Sequence, residues 1–129
     1  MNESPEAAFV RLYIECALWS SSDNTPDDRD AINPPNMGDW ATEADIDMES
    51  LATMKLEAMA FYQAHKDVIP DEMAEDAGMM FWLNRNGHGS GFWDSPDVWG
   101  EATERLNNAA HAAGERNLYV GDDWRIYQR

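Results

Sequence analysis

With 129 residues, 43% of them hydrophobic and 11% aromatic, the chain has enough apolar material for one ordinary core and does not have the composition of a disordered tail. A formal net charge of −16 argues against DNA, RNA or anionic lipid as direct ligands and favours a basic protein surface as partner. No apolar run approaches membrane-spanning length, no charged-then-apolar leader opens the chain, and Cys16 has no second cysteine to pair with, so a cytoplasmic location and no membrane contact are expected.

Ser4-Pro5-Glu6 reads as a helix start: a serine cap, proline at the first helical position and an acid in the first turn. Val10, Tyr13, Ile14, Ala17 and Leu18 then recur with helical spacing as one buried stripe. Cys16 beside it has no neighbouring base and reads as a packed thiol. Residues 20–40 read as an acidic loop with Pro26, Asp27, Asp28, Asp30, Pro34 and Pro35. The loop lacks the alternating oxygen ligands, central glycine and terminal glutamate of an EF-hand. Charge is concentrated here and just beyond: residues 22–76 carry fifteen acids against three bases.

Asp47 is placed to cap a second helix running to about Asp67, with Leu51, Met54, Ala58, Phe61 and His65 along one face and Met59 and Tyr62 beside them. Pro70 stops it. Asp71 to Ala77 reads as a short acidic helical turn, with Gly78 as its exit.

The stretch Phe81-Trp82-Leu83-Asn84-Arg85-Asn86-Gly87-His88-Gly89-Ser90-Gly91-Phe92-Trp93-Asp94 repeats Phe-Trp around a glycine-rich middle. Asn-Gly between apolar runs is a strong type I′ turn signal, so a hairpin is expected over about 79–94. Phe81, Leu83 and Phe92 would share one face of it, and Trp82 and Trp93 the other. Ser95-Pro96-Asp97 opens a third main helix with the stripe Trp99, Ala102, Leu106, Ala109, Ala110 and Ala113, ended by Gly114. Leu118-Tyr119-Val120, the turn Gly121-Asp122-Asp123 and Trp124-Arg125-Ile126-Tyr127 form a second hairpin. The expected fold is α+β: one domain, helix-helix-hairpin-helix-hairpin, with three main helices packed on a small antiparallel sheet of two hairpins.

FWLNRNGHGSGFWD, then LYVGDDWRIY at 118–127, together with YIECALWS at 13–20, resembles a group of small acidic bacteriophage proteins. That group carries an FW-x-x-RNGHG-x-GFWD block and a later LYVGDD-x-x-IY block. The resemblance implies a phage source and the host-cell cytoplasm, and brings no activity with it. The group often has glycine where this chain has Trp124, and many members have a His-Asp pair where this chain has Met79-Met80.

Chemistry-bearing constellations are sparse. His65, His88 and His111 have no i+3 or i+4 histidine partner, and CxxC and HExxH motifs are absent, so neither a metal nor another cofactor is expected. GHGSG lacks the lysine and length of a P-loop and the strand-to-helix setting of a nucleophile elbow. Arg85, Asn86 and His88 at the hairpin tip are the best candidates for a small-ligand or catalytic site, set against a plain glycine-rich turn. Six tryptophans would suit stacking on single-stranded nucleic acid only in a positive groove, which this composition opposes.

The favoured reading is therefore a non-enzymatic, phage-type acidic protein that occludes a basic host protein, such as a nucleic-acid-binding restriction, CRISPR or repair factor. Its carboxylates would stand in for phosphates, which duplex DNA presents at one charge per about 1.7 Å of axis. Charge density alone selects Asp27, Asp28, Asp30, Glu43, Asp45, Asp47 and Glu49 as the contact surface. A tip-centred enzyme or ligand binder is the alternative, and a virion or assembly component a further one.

Overall fold

Ser4 and Pro5 start a helix as their residue types require: the Ser4 hydroxyl accepts from the Ala7 amide at 3.1 Å, and Pro5 takes the first helical position. The computed structural model describes residues 3–21, 37–87, 91–92 and 96–128. Helix α1, Pro5–Ser20, buries Tyr13, Ile14, Ala17 and Leu18 of the expected stripe, with Ala8 and Phe9 added and Val10 only partly covered.

Two 3-10 turns, Met37–Asp39 and Glu43–Asp45, lead into α2, Met48–His65. Asp47 caps α2, its Oδ2 accepting from the Ser50 amide at 3.3 Å. Met54, Ala58, Phe61 and Tyr62 form the inner face, while Met59 is exposed. A 3-10 turn over Lys66–Val68 ends the segment ahead of Pro70.

The expected hairpin over 79–94 does not form. After a 3-10 turn at Asp71–Met73, the chain runs as helix α3 from Ala74 to Arg85. Gly78 is inside that helix, not at its exit. A Cβ there would sit 2.2 Å from the Phe9 carbonyl oxygen, so glycine is what lets the α1 and α3 backbones touch. The helix ends at Asn86-Gly87. Gly87 adopts φ +64°, and its amide donates to the Asn84 carbonyl at 3.3 Å. A left-handed glycine after asparagine serves a helix end as well as a type I′ turn, which is why the local signal misled. Phe92 is fully buried, yet in no strand; its amide donates to Asn84 Oδ1 at 2.9 Å.

The third expected helix is broken. One turn, α4 (Pro96–Trp99), is followed by a bend at Gly100 and then α5, Ala102–Ala113. The second hairpin is present. Strands β1 (Leu118–Val120) and β2 (Ile126–Gln128) pair antiparallel, Tyr119 opposite Tyr127. Ile46 makes a parallel bridge to Ile126, and the Asp47 amide donates to the Ile126 carbonyl at 2.8 Å. The hairpin is thus tied to the start of α2. The fold is α+β, but mostly helical, with a two-stranded sheet at its edge among the described residues in place of two hairpins beneath three helices.

The core lies between helices. α1 and α3 run side by side in the same direction: Gly78 meets Phe9, while Phe81 and Trp82 meet Tyr13. Phe61 of α2 stacks on Phe81 at 4.0 Å and on Phe92 at 5.9 Å, and Phe92 meets Trp99 edge-on at 5.3 Å. Such ring pairs each contribute about 0.5–1.5 kcal/mol beyond their burial. Two buried indoles also find partners: Trp82 Nε1 donates to Ser20 Oγ at 2.7 Å, and Trp99 Nε1 to Met80 Sδ at 3.1 Å. Ile14, Phe81, Phe92 and Leu106 are buried in this core, and Val10, Leu83 and Val120 are partly covered against it.

Candidate functional site

Arg85 is at the last turn of α3, not at a hairpin tip, and it is 2% exposed. Its Nε donates to the Gly114 carbonyl at 2.7 Å and Nη2 to the Ala113 carbonyl at 2.9 Å, satisfying the open C-terminal end of α5. Nη1 donates to the Tyr13 hydroxyl at 2.9 Å and to Glu57 Oε1 at 3.1 Å. The guanidinium lies over the Phe81 ring, 5.1 Å from its centroid. Arg85 therefore clamps α1, α2, α3 and α5 together. With four donor contacts used inside the protein, it is not free to anchor a ligand.

Glu57 is the second half of the clamp. It accepts from Arg85 and also pairs with Arg116 at 2.8 Å. Burial works to raise the Glu57 pKa, but the Arg116 hydrogen bond and the two guanidinium charges outweigh it and hold the carboxyl below its ordinary value. Burial dominates at Tyr13, pushing its phenol up to about 12 despite Arg85. Asn86 donates from Nδ2 to the Trp82 carbonyl and accepts the Arg116 amide on Oδ1 at 2.8 Å. The tip pair Arg85 and Asn86 is thus structural, and His88 lies outside the described residues. A shallow cleft of about 310 Å3 beside the clamp is lined by Glu57, Ala60, Phe61, Phe81, Arg85 and Ala113 and contains no nucleophile with a base.

The other reactive types are equally occupied. Burial raises the Cys16 thiol to about 11, so it is not a thiolate at neutral pH. His65 packs on Phe61 at 4.7 Å and accepts from Arg105 Nε on Nδ1 at 3.1 Å. Its pKa is lowered by burial and by the Arg105 charge. Among the described residues, no three His, Cys, Asp or Glu side chains group as metal ligands.

The acids chosen on charge density divide. Asp27, Asp28 and Asp30 lie outside the described residues. Glu43, Asp45, Asp47 and Glu49 do gather at the N-terminal end of α2, but three of them have local tasks. Glu43 pairs with Lys55 at 2.8 Å. Asp45 closes a capping box with Thr42, and Asp47 caps α2. Glu49 is exposed in the first turn, where the helix dipole favours it. Asp47 and Glu49 also line a polar recess of about 400 Å3 with Ser50, Arg116 and Tyr127.

A second acidic cluster was not singled out in the sequence. Because α1 and α3 run in the same direction, their N-terminal ends lie together. Asp71, Glu72, Glu75 and Asp76 stand there with Glu3 and Glu6. Arg11 is the base among them, 2.9 Å from Glu3 and 3.6 Å from Glu75. Gln63 donates to Glu6. Asp71, Glu72 and Asp76 are exposed and have no cationic partner among the described residues. The acid run 71–76 was visible as helix-start composition; its meeting with α1 depends on contacts about seventy residues apart. No helix among the described residues is long and apolar enough to cross a membrane. No family model, curated protein or solved structure matches the chain.

Proposed function

We propose that this chain is an acidic interaction protein of the phage type that binds and occludes a basic, nucleic-acid-binding host protein. The observation that carries the reading is the acidic end formed by α1 and α3. There Asp71 and Glu72 in the 3-10 turn and Asp76 in the first turn of α3 are exposed, and none is neutralised by a base among the described residues. Internal caps and ion pairs absorb Glu43, Asp45 and Asp47, but folding asks nothing of these three beyond a favourable helix dipole. Carboxylates gathered in this way, on a chain of net charge −16, offer a phosphate-like array to an arginine- and lysine-lined channel. A catalytic reading has no such support, because Arg85 is committed to the clamp and Asn86 to the Trp82 carbonyl and the Arg116 amide.

Immobilised protein exposed to lysate of the bacterial host, washed at low and then at high salt, tests the proposal. The expected catch is a basic protein released by salt and displaced by duplex DNA or heparin. Retention of nothing basic, or a catch indifferent to both salt and nucleic acid, contradicts it.

A further inference from the structure

Two arginines fasten helix α5. At its C-terminal end Arg85 holds the Ala113 and Gly114 carbonyls. In its first half Arg105 reaches across to the end of α2. Arg105 Nη2 donates to the Ala64 carbonyl at 2.9 Å, and Nη1 and Nη2 donate to the two Asp67 oxygens at 3.0 and 2.9 Å. Its Nε donates to His65 Nδ1 at 3.1 Å. A guanidinium has donors and no acceptor, so this contact exists only while Nδ1 carries a lone pair. His65 is thereby held as the neutral Nε2–H tautomer, with its ring packed on Phe61 at 4.7 Å.

We propose that His65 and Arg105 form a proton-operated latch: it is closed at neutral pH and opens in mild acid, so that the first half of α5 comes away from α2 while Arg85 keeps the second half in place. A proton on Nδ1 would set two donors and two cations face to face at 3.1 Å, and the contact must part. The charged groups that act on His65 are Arg105 from α5 and Asp67 from the turn after α2. Burial first, then the Arg105 charge, hold the ring below its ordinary value of 6.5. Asp67 opposes them, but it is shared with Arg105, which holds it below its own ordinary value, so it stays charged throughout. Neutral His65 therefore supports the closed latch fully above pH 6.5, and that support is lost as the pH falls through the lower folded-state value. Nothing around Arg85 titrates in that window: Glu57 is held below the ordinary carboxyl value, and the Tyr13 phenol is pushed up to about 12. Release bares Phe61, which lies under the His65 ring and stacks on Phe81 and Phe92. The latch is separate from the acidic end at α1 and α3 and needs no host partner.

Backbone hydrogen exchange of the full chain at about pH 7.5 and about pH 5, corrected for intrinsic rates, tests the latch. In wild type, protection in the first half of α5 relative to its second half should fall at least about threefold on acidification. His65→Gln offers Arg105 an amide oxygen that does not titrate, and it keeps His88 and His111, so its α5 should hold the same relative protection at both pH values. The NMR titration midpoint of His65 should lie below 6.5, and Arg105→Met should raise it. A midpoint at or above 6.5 overturns the proposal, as does a midpoint unmoved by Arg105→Met. Relative protection in α5 that changes equally in wild type and His65→Gln overturns it too.

Discussion

Arg85 shows why residue type and function part company here. In sequence it stands beside Asn86-Gly87 in a polar, glycine-rich stretch and resembles a ligand anchor. In the fold its partners come from Tyr13, Glu57, Ala113 and Gly114, none of them within the stretch. Glu57→Ala should leave a guanidinium of 1% exposure without its counter-charge, and should cost about 3–5 kcal/mol in denaturant unfolding. The pH dependence has a definite sign. Glu57 is held below its ordinary value near 4.5, so its stabilisation is complete above that pH and is lost as the pH falls through the lower folded-state value. The stability gap between wild type and Glu57→Gln should therefore hold from neutral pH down to the ordinary carboxyl value of 4.5 and narrow as the pH falls further. Two backbone positions allow equally direct tests. Gly78→Ala places a methyl against the Phe9 carbonyl and should destabilise by about 1–3 kcal/mol or more. Trp124 holds φ +64° and is 50% exposed, so Trp124→Gly should stabilise by up to about 1 kcal/mol in thermal or denaturant unfolding.

Among the elements, what could be read from sequence was what depends on neighbours a few residues away. Ser4 and Asp47 cap the helices they were expected to cap, and the Gly121 turn joins β1 to β2 as its composition suggests. α3 was misread because two of its signals have two meanings. Glycine marks a helix exit or a close helix crossing, and Asn-Gly marks a type I′ turn or a helix end. The deciding pattern was present: Ala74, Ala77, Gly78, Phe81, Trp82 and Arg85 are buried at helical spacing. A helix exit placed at Gly78 breaks that periodicity into two pieces too short to show it. α5 was found, but its expected first turn separates at Gly100 as α4. Phe92 keeps its expected burial through a different structure, packed on Phe61 and Trp99. Phe92→Ala should cost about 3–5 kcal/mol; a loss below about 1 kcal/mol would place the ring outside the core.

For the whole molecule, charge distribution separates folding from function. In sequence the acidity is concentrated in residues 22–76, and charge density alone points to the runs at 27–30 and 43–49. The structure assigns part of that acidity to caps and ion pairs at the start of α2. A different set of carboxylates stands free where α1 and α3 begin, and that meeting is a product of tertiary packing which no local window contains. Asp71→Asn, Glu72→Gln and Asp76→Asn together remove three exposed charges that form no ion pair among the described residues, so stability should change by no more than about 0.5 kcal/mol. The decisive measurement is the association rate of this triple variant with the captured basic partner, followed across ionic strength. Wild type should associate at least about tenfold faster at low salt and show the steeper salt dependence, with dissociation little altered. Equal association rates and equal salt slopes for the two proteins would contradict the acidic end as the binding surface.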